Sequence, residues 1–221
     1  VEEDVEVFFE ADETFSTFVS KSKSRKYIII GSSATVSDEY RVLEADDPLG
    51  SFRVIHPRER DLEYSIDHIG NRCYIRTNLA AVNFRLMEAS EDQTSKEYWK
   101  LVVPHRKEVL LVSVELCNDF LVLSERIDGI VNLRIKTMDG SSDHYIDFGE
   151  DAYVAFPGIN PEPDSHVLRL GYTSLTTPAT TYDYHMRERT LKLMKQEAVL
   201  GGFEKGDYTS ERIYITTRDG E

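Results

Sequence analysis

Serine residues are the first candidates for chemistry, because a serine hydroxyl becomes a nucleophile only in a particular local setting. The common setting is a G-x-S-x-G elbow, in which a strained strand-to-helix turn exposes the hydroxyl beside backbone N–H groups. The nearest strings are Gly31-Ser32-Ser33, Gly140-Ser141-Ser142 and Tyr172-Thr173-Ser174, and none has both flanking glycines. We therefore interpret these serines as turn and strand residues and predict no catalytic residue within the chain.

Histidines are the next candidates, as general bases or metal ligands. The six are His56, His68, His105, His144, His166 and His185. They show no HExxH spacing and no pair at i, i+4, so each is interpreted as a surface residue or a hydrogen-bonded core residue. His68 follows Asp67 and precedes a hairpin glycine, and it is predicted to anchor that turn by hydrogen bonding.

Acidic residues could act in pairs, as in glycoside hydrolysis, where two carboxylates flank the bond that breaks. With 40 Asp and Glu in 221 residues, pairs arise by chance and no spacing selects one. The candidates are Glu10, Asp67, Asp147, Glu150 and Asp151. No Walker, GxGxxG or EF-hand string is present, so no cofactor or metal is predicted.

The most suggestive remaining string is YTSLTTP at residues 172–178. Four of its residues besides Tyr172 carry hydroxyls that would line a sheet edge or a loop. The alternative is a threonine-rich strand ended by a proline, and no ligand is assigned.

The formal net charge is −14, from 26 Lys and Arg against 40 Asp and Glu. A surface of that sign repels phosphate backbones and anionic lipid, which argues against nucleic-acid and membrane partners. Cationic ligands would be attracted. The alternative is that the charge serves only solubility.

The two cysteines, Cys73 and Cys117, lie in separate apolar runs without a CxxC partner. This pattern indicates buried thiols in a reducing compartment, and a cytoplasmic location is expected. The acidic start of the chain lacks the basic region of a signal peptide, and no apolar run approaches the length of a membrane span.

Short β-strands must position all of these residues. The clearest unit is residues 62–78, where Tyr64 and Ile66 precede Gly70-Asn71 and further strand formers follow, a pattern that predicts an antiparallel hairpin. A hairpin plus two more strands recurs, and the predicted third strands contain Tyr40, Phe84, Leu133 and Tyr182. Repeated four-stranded units favour a β-propeller over the competing β-sandwich.

Four blades are predicted, over residues 11–59, 60–106, 107–150 and 151–195. Besides the hairpin, strands are expected at 15–19, 27–30, 40–43, 52–55, 84–87, 98–103, 110–114, 120–123, 133–137, 145–148, 167–172, 181–184 and 191–194. The start of the fourth blade is irregular because prolines and Gly158 interrupt residues 152–164.

The two ends do not fit this repeat. Residues 5–10 are predicted to be the last strand of a preceding blade, with residues 1–10 belonging to it. Residues 196–221 are predicted to be a linker and the truncated start of another domain, with a strand at 208–218 before a hairpin-type Asp219-Gly220. We therefore expect the chain to be a piece of a longer protein.

Five strings together resemble one known group of proteins. They are residues 63–78, 83–86, 160–165, 168–184 and 210–220, and they closely resemble the oligopeptidase B (protease II) group of the prolyl oligopeptidase family of serine peptidases. The resemblance extends over nearly the whole chain. It implies a seven-bladed propeller that covers an α/β-hydrolase domain and restricts it to short peptides, which are cleaved after Lys or Arg.

The same resemblance implies that the catalytic Ser, Asp and His lie downstream of Glu221 and that this chain alone is inactive. Its fold class would be all-β, with about four of seven blades plus the first strand of the hydrolase domain. An alternative is a free-standing propeller that binds a protein or a peptide. The open flanks of a partial ring would favour self-association of the isolated chain.

Overall fold

β-Strands make up nearly all the regular structure of the chain, which is described for residues 5–220 in a computed structural model. They form four antiparallel sheets, and the four strands of each sheet are paired in the order in which they occur in the sequence. This meander of four strands is the form of a propeller blade. The predicted all-β fold, with four-stranded antiparallel blades, is confirmed.

The four sheets follow one another along the sequence. In blade one the strands are β1 (Ser16–Lys21), β2 (Tyr27–Ser33), β3 (Asp38–Glu44) and β4 (Arg53–His56). In blade two they are β5 (Tyr64–Ile69), β6 (Arg72–Thr77), β7 (Arg85–Ser90) and β8 (Lys100–Val103). In blade three they are β9 (Val109–Leu116), β10 (Phe120–Ile127), β11 (Ile130–Thr137) and β12 (Asp143–Tyr145). In blade four they are β13 (Tyr153–Pro157), β14 (Val167–Ser174), β15 (Thr180–His185) and β16 (Thr190–Gln196).

The chain divides into two compact units that meet at residues 111 and 112. The first unit has one core, formed where blades one and two face each other. Its buried residues are Tyr27, Ile29, Tyr40, Val42, Ile55, Leu62, Tyr64, Cys73, Ile75, Met87, Ala89 and Trp99. They come from alternate positions of their strands, as expected when one face of a sheet is packed.

The predicted hairpin of blade two is present. Ile69 pairs with Arg72 across the two-residue turn Gly70-Asn71, and Gly70 has a φ of 63°. A left-handed φ at the first turn position is the reason why glycine is favoured there in two-residue hairpins. The turn therefore lies where the sequence predicted it.

A β-bulge in blade one is filled by a side chain of blade two. Between β3 and β4 the register shifts after Tyr40, which pairs with His56 while Arg41 pairs with Val54. The Tyr64 hydroxyl, on a residue only 1% exposed, accepts a hydrogen bond from Tyr40 N at 3.1 Å. It donates one to the His56 carbonyl at 2.5 Å. Tyr64 thus satisfies the two backbone groups that the bulge separates.

The second unit repeats this plan. Blades three and four share a core whose buried residues are Cys117, Phe120, Val122, Leu133, Ile135, Ile146, Ala155, Leu168, Leu170, Tyr172, Tyr184 and Met186. Along β14 the buried Leu168, Leu170 and Tyr172 alternate with the more exposed Arg169 and Thr173. The period of two places one face of the blade in the core and leaves the other uncovered within the unit.

Two predicted strands are absent, and one observed strand was not predicted. Residues 5–10 and 208–218 carry no strand, because a strand exists only where another segment pairs with it, and no described residue forms a ladder with either stretch. Strand β13 was not predicted, since Pro157 and Gly158 obscured it. A proline is tolerated here because β13 is an edge strand of its sheet.

Within the described part of the chain, helical structure is confined to two short 3-10 turns, Lys96–Tyr98 and Lys205–Asp207. Among residues 5–220, none of the helices has the length and apolar character needed to cross a membrane.

Candidate functional site

Glu150, in the second unit, lies at the centre of a set of hydrogen bonds that we call the Glu150 node. Its carboxylate accepts hydrogen bonds from Thr176 Oγ1 at 3.0 Å and Thr177 Oγ1 at 2.9 Å. Lys205 Nζ donates a third at 2.9 Å. The Glu150 side chain is only 13% exposed, so these partners replace most of its contact with water.

The turn between β14 and β15 is built so that its threonine hydroxyls reach Glu150. Ser174 N donates to the Thr177 carbonyl at 3.0 Å, and Thr176 N donates to Ser174 Oγ at 3.2 Å. Thr173 Oγ1 also donates to the Thr177 carbonyl, at 3.0 Å. Short hydroxyl side chains close such turns by bonding to nearby backbone. Here they also hold Thr176 and Thr177 in one orientation, with both residues about 5% exposed or less.

Glu150 is held as a carboxylate by these neighbours. Burial raises the pKa of a carboxyl group, but hydrogen bonding from Ser174, Lys205 and other neighbours outweighs burial and lowers the pKa of Glu150 to about 2. The group is therefore ionised throughout the neutral range. It offers a permanent negative charge to whichever cation lies beside the turn.

The cation that it meets belongs to the segment that follows blade four. Lys205 Nζ bonds to Thr177 Oγ1 at 2.8 Å as well as to Glu150, and the 3-10 turn Lys205–Asp207 begins at this residue. Next to the turn, Phe203 and Tyr208 stack with ring centroids 5.3 Å apart. Two contacts just before the segment reach the end of the turn between β14 and β15. Glu197 N donates to the Ala179 carbonyl at 2.9 Å, and Gln196 Nε2, at the end of β16, donates to Thr180 Oγ1 at 3.0 Å.

Beside the node is a cavity of about 410 Å³ whose charged lining residues are mostly acidic. Its charged lining residues are Asp128, Asp147, Glu150, Asp151 and Arg212. Arg212 donates a hydrogen bond to the Asp128 carbonyl. A second cation of the segment that follows blade four is therefore seated on the same acidic part of the unit.

The five carboxylates singled out in the sequence lie in three different places. Three of them, Asp147, Glu150 and Asp151, line this one cavity. Asp67, in the first unit, accepts hydrogen bonds from Lys23 N and His68 N, at 2.8 and 2.7 Å. Glu10, also in the first unit, pairs with Arg58 at 2.6 Å. Each of the last two is thus occupied by a structural partner.

The histidines lie in hydrogen-bonded structural positions. His68 Nδ1 is 2.7 Å from Ser24 Oγ and its Nε2 is 3.0 Å from Glu91 Oε2, so its ring joins blade two to the first turn of blade one rather than anchoring its own hairpin. His166 plays a similar part between blades three and four, 2.9 Å from Asp119. His56 bonds to Glu59 at 2.8 Å, and His144 to the Tyr184 hydroxyl at 2.8 Å.

Two histidines have fewer contacts. His185 lies 4.0 Å from Glu188, and among residues 5–220 no partner is found for the buried His105 Nε2. None of the described residues 5–220 form a cluster of three or more His, Cys, Asp or Glu side chains that could hold a metal ion.

Sequence reasoning named part of the Glu150 node and missed the rest. It singled out the hydroxyl-rich string at 172–178 and named Glu150 among the carboxylates, but it did not connect them. Lys205 carried no signal, because a lysine in a glycine-containing segment is ordinary. Only the fold brings residues 150, 177 and 205 together. The arrangement can fix a segment electrostatically, and it contains no activated nucleophile.

Comparison with protein families identifies the fold. The sequence profile described as "Prolyl oligopeptidase, N-terminal beta-propeller domain" matches residues 1–197. The chain belongs to the prolyl oligopeptidase family. The match covers all four blades, so the four-stranded sheets are blades of the propeller of this family, and the segment carrying Lys205 lies after the matched region.

Curated relatives of the prolyl oligopeptidase family support the assignment. Over 220 residues the chain is 40% identical to Dipeptidyl aminopeptidase BI of Pseudoxanthomonas mexicana, covering 99% of this chain and 30% of the relative. It is 27% identical to Protease 2 of Moraxella lacunata, covering 100% of this chain and 31% of the relative. The chain therefore spans about a third of the length of these relatives.

Solved structures of oligopeptidase B are also similar over the whole chain. The enzyme from Leishmania major superposes with a TM-score of 0.90 at 25% identity, covering 100% of this chain and 32% of that one. The enzyme from Trypanosoma brucei, in a closed form with covalently bound antipain, superposes with a TM-score of 0.91 at 26% identity and the same coverage.

Proposed function

We propose that this chain is the later part of the propeller of a serine oligopeptidase that cleaves short peptides after Lys or Arg. The catalytic Ser, Asp and His would be supplied by residues downstream of Glu221 in the parent polypeptide. The observation that carries the proposal is the likeness to oligopeptidase B over the whole chain, together with the family match over residues 1–197. The five strings in the sequence support it independently.

In this proposal the propeller acts as a lid and makes no bonds itself. A ring of blades admits narrow, flexible peptides, and closure over a hydrolase domain excludes water and completes the site. The net charge of −14 would raise the local concentration of peptides that contain Lys or Arg. Short basic peptides are therefore the substrates, and the missing peptidase domain is the partner of this chain.

The test uses the parent polypeptide and this chain side by side, with an Nα-blocked chromogenic peptide that ends in Arg. The parent is expected to release the chromophore and the chain is expected to be inert. Electrostatic steering predicts that kcat/KM of the parent falls as salt is added, because screening shortens the reach of the acidic surface. Cleavage by the chain itself would overturn the proposal, and a kcat/KM independent of salt would remove the steering.

The name of the relative at 40% identity favours a second specificity. That relative is a dipeptidyl aminopeptidase, so the parent could release dipeptides from a free N-terminus. Two chromogenic substrates with the same Arg at the cleaved bond separate the candidates: one is a dipeptide with a free amino group, and the other is its Nα-blocked form. Turnover of the free dipeptide alone supports the second specificity, and turnover of the blocked form supports the first.

Two further features of the parent follow from the same proposal. Cys73 and Cys117 are buried free thiols, which is consistent with a reducing, cytoplasmic location. Within the second unit, one face of blade four leaves Val154 56% and Phe156 53% exposed. We expect the isolated chain to self-associate through such faces, and light scattering that finds a monomer at high concentration would contradict this.

A further inference from the structure

We propose that Glu150 is a latch that holds the segment following the propeller, residues 198–208, on the turn of blade four. Lys205 is the residue of the segment that Glu150 binds. When this contact breaks, residues 198–208 can move away from the turn of blade four. Under the proposed function, this segment would lead from the lid to the peptidase domain.

The first step of the argument is that the node is rigid on the blade side. Thr176 and Thr177 are held by the turn that bonds Ser174 to Thr177, and both donate to Glu150. These neutral hydroxyls orient the carboxylate but cannot neutralise it. Because Glu150 is mostly buried, a cation against it reduces the cost of its charge beyond what the hydroxyls achieve.

The second step is that Lys205 supplies that cation from a segment whose other contacts lie on either side of residues 198–208, from Glu197 N to the Ala179 carbonyl and from Arg212 to the Asp128 carbonyl. Lys205 makes two hydrogen bonds to the node, at 2.9 and 2.8 Å. By contrast Leu200 is 93% exposed and Val199 48% exposed, so the apolar residues before it are not packed into a core. The stacked rings of Phe203 and Tyr208 are both within the segment, so this contact stiffens the segment itself.

The third step is the asymmetry of exposure between the two partners. The Lys205 side chain is 57% exposed whereas that of Glu150 is 13% exposed. The lysine can therefore leave the node and be hydrated without disturbing the blade, whereas the glutamate cannot leave. An ion pair with one fixed and one mobile partner can open and close, which is what a latch requires.

The experiment measures amide hydrogen exchange by mass spectrometry in the whole 221-residue chain. The 3-10 turn protects two amides, Asp207 N bonded to the Glu204 carbonyl and Tyr208 N bonded to the Lys205 carbonyl. Glu150→Gln keeps the shape of the side chain but removes its charge. We expect exchange across residues 198–208 to become about three- to tenfold faster, the range for loss of a partly buried charged hydrogen bond.

Lys205→Met is the second variant, because it breaks the same contact from an exposed position outside the blades. It should produce the same acceleration, and the double variant should be no faster than either single one, since both remove one interaction. Glu204→Gln is the matched control: it removes one negative charge from the neighbouring residue, and exchange should not change.

Unchanged exchange in both Glu150→Gln and Lys205→Met would overturn the latch. If Glu150→Gln loosens the blade strands as well, Lys205→Met alone decides: acceleration confined to residues 198–208 supports the latch, and no acceleration refutes it. The measurement does not depend on peptidase activity. A parent without activity would therefore leave this result standing, and a failed latch would leave the proposed function untouched.

Discussion

Tyr64→Phe tests whether one hydroxyl joins blade one to blade two. The substitution keeps the ring, and with it the contacts to Tyr40 and Trp99 at centroid distances of 5.3 and 5.7 Å. It removes the oxygen that accepts from Tyr40 N and donates to the His56 carbonyl. Both backbone groups are then left without a partner at a bulge, in a site from which water is excluded.

The expected cost follows from those two groups. A buried backbone donor or acceptor left unsatisfied costs about 1–3 kcal/mol, so Tyr64→Phe should reduce the free energy of unfolding of the first unit by about 2–6 kcal/mol. With a typical urea dependence of about 2 kcal/mol/M, this moves the unfolding midpoint by about 1–3 M.

The assay uses the single tryptophan of the chain. Trp99 is 8% exposed and belongs to the core of the first unit, so its fluorescence reports the unfolding of that unit. Tyr98→Phe is the matched control, because Tyr98 is 49% exposed and its loss of a hydroxyl should stay within about 0.5 kcal/mol. If Tyr64→Phe reduced the free energy of unfolding no more than Tyr98→Phe does, the claim that this hydroxyl completes the bulge would be wrong.

Three further predictions can be read with the same fluorescence signal. Burial lowers the pKa of His68, so the neutral ring favours folding above the ordinary pKa of about 6.5, and this contribution is lost as the pH falls. The stability of the unsubstituted chain minus that of the His68→Gln variant should therefore decrease from pH 7 to pH 5, and a constant difference would refute this reasoning. Hydrogen bonding from Arg58 lowers the pKa of Glu10 from 4.5 to about 2, so Glu10→Gln should reduce the free energy of unfolding by about 1 kcal/mol at pH 7. This loss should disappear as the pH falls from 4.5 to 2, and an equal loss at pH 7 and pH 2 would contradict the ion pair. Gly70→Ala should reduce the free energy of unfolding by about 1 kcal/mol, because the φ of 63° strains a residue with a Cβ. Gly70→Asn should reduce it less, because asparagine tolerates a positive φ better than alanine, and equal effects would show that φ is not the reason.

The sequence predicted well those features that local pattern and turn chemistry decide. Alternation placed the hairpin of blade two and most of the other strands, because a half-buried strand must alternate in polarity. Local pattern does not report whether a partner strand is present. For that reason residues 208–218 looked like a strand but formed none, and β13 formed despite Pro157, since an edge position needs fewer ladder bonds.

The Glu150 node shows a different limit. Its turn residues, Thr176 and Thr177, could be singled out from their hydroxyls, and Glu150 was one acid among 40. Lys205 is 55 residues from Glu150, and no periodic pattern reports a contact at that distance. Tyr64 was placed on the right strand by alternation, yet its role at the bulge of another blade depends on how two sheets face each other.

The order of the strands within each sheet has a consequence for how the polypeptide acquires its structure. Every strand pairs with its immediate neighbours in sequence, so no ladder has to wait for a segment made much later. Closing a short loop costs less conformational entropy than closing a long one. We therefore expect each blade to form as soon as the ribosome has released its four strands.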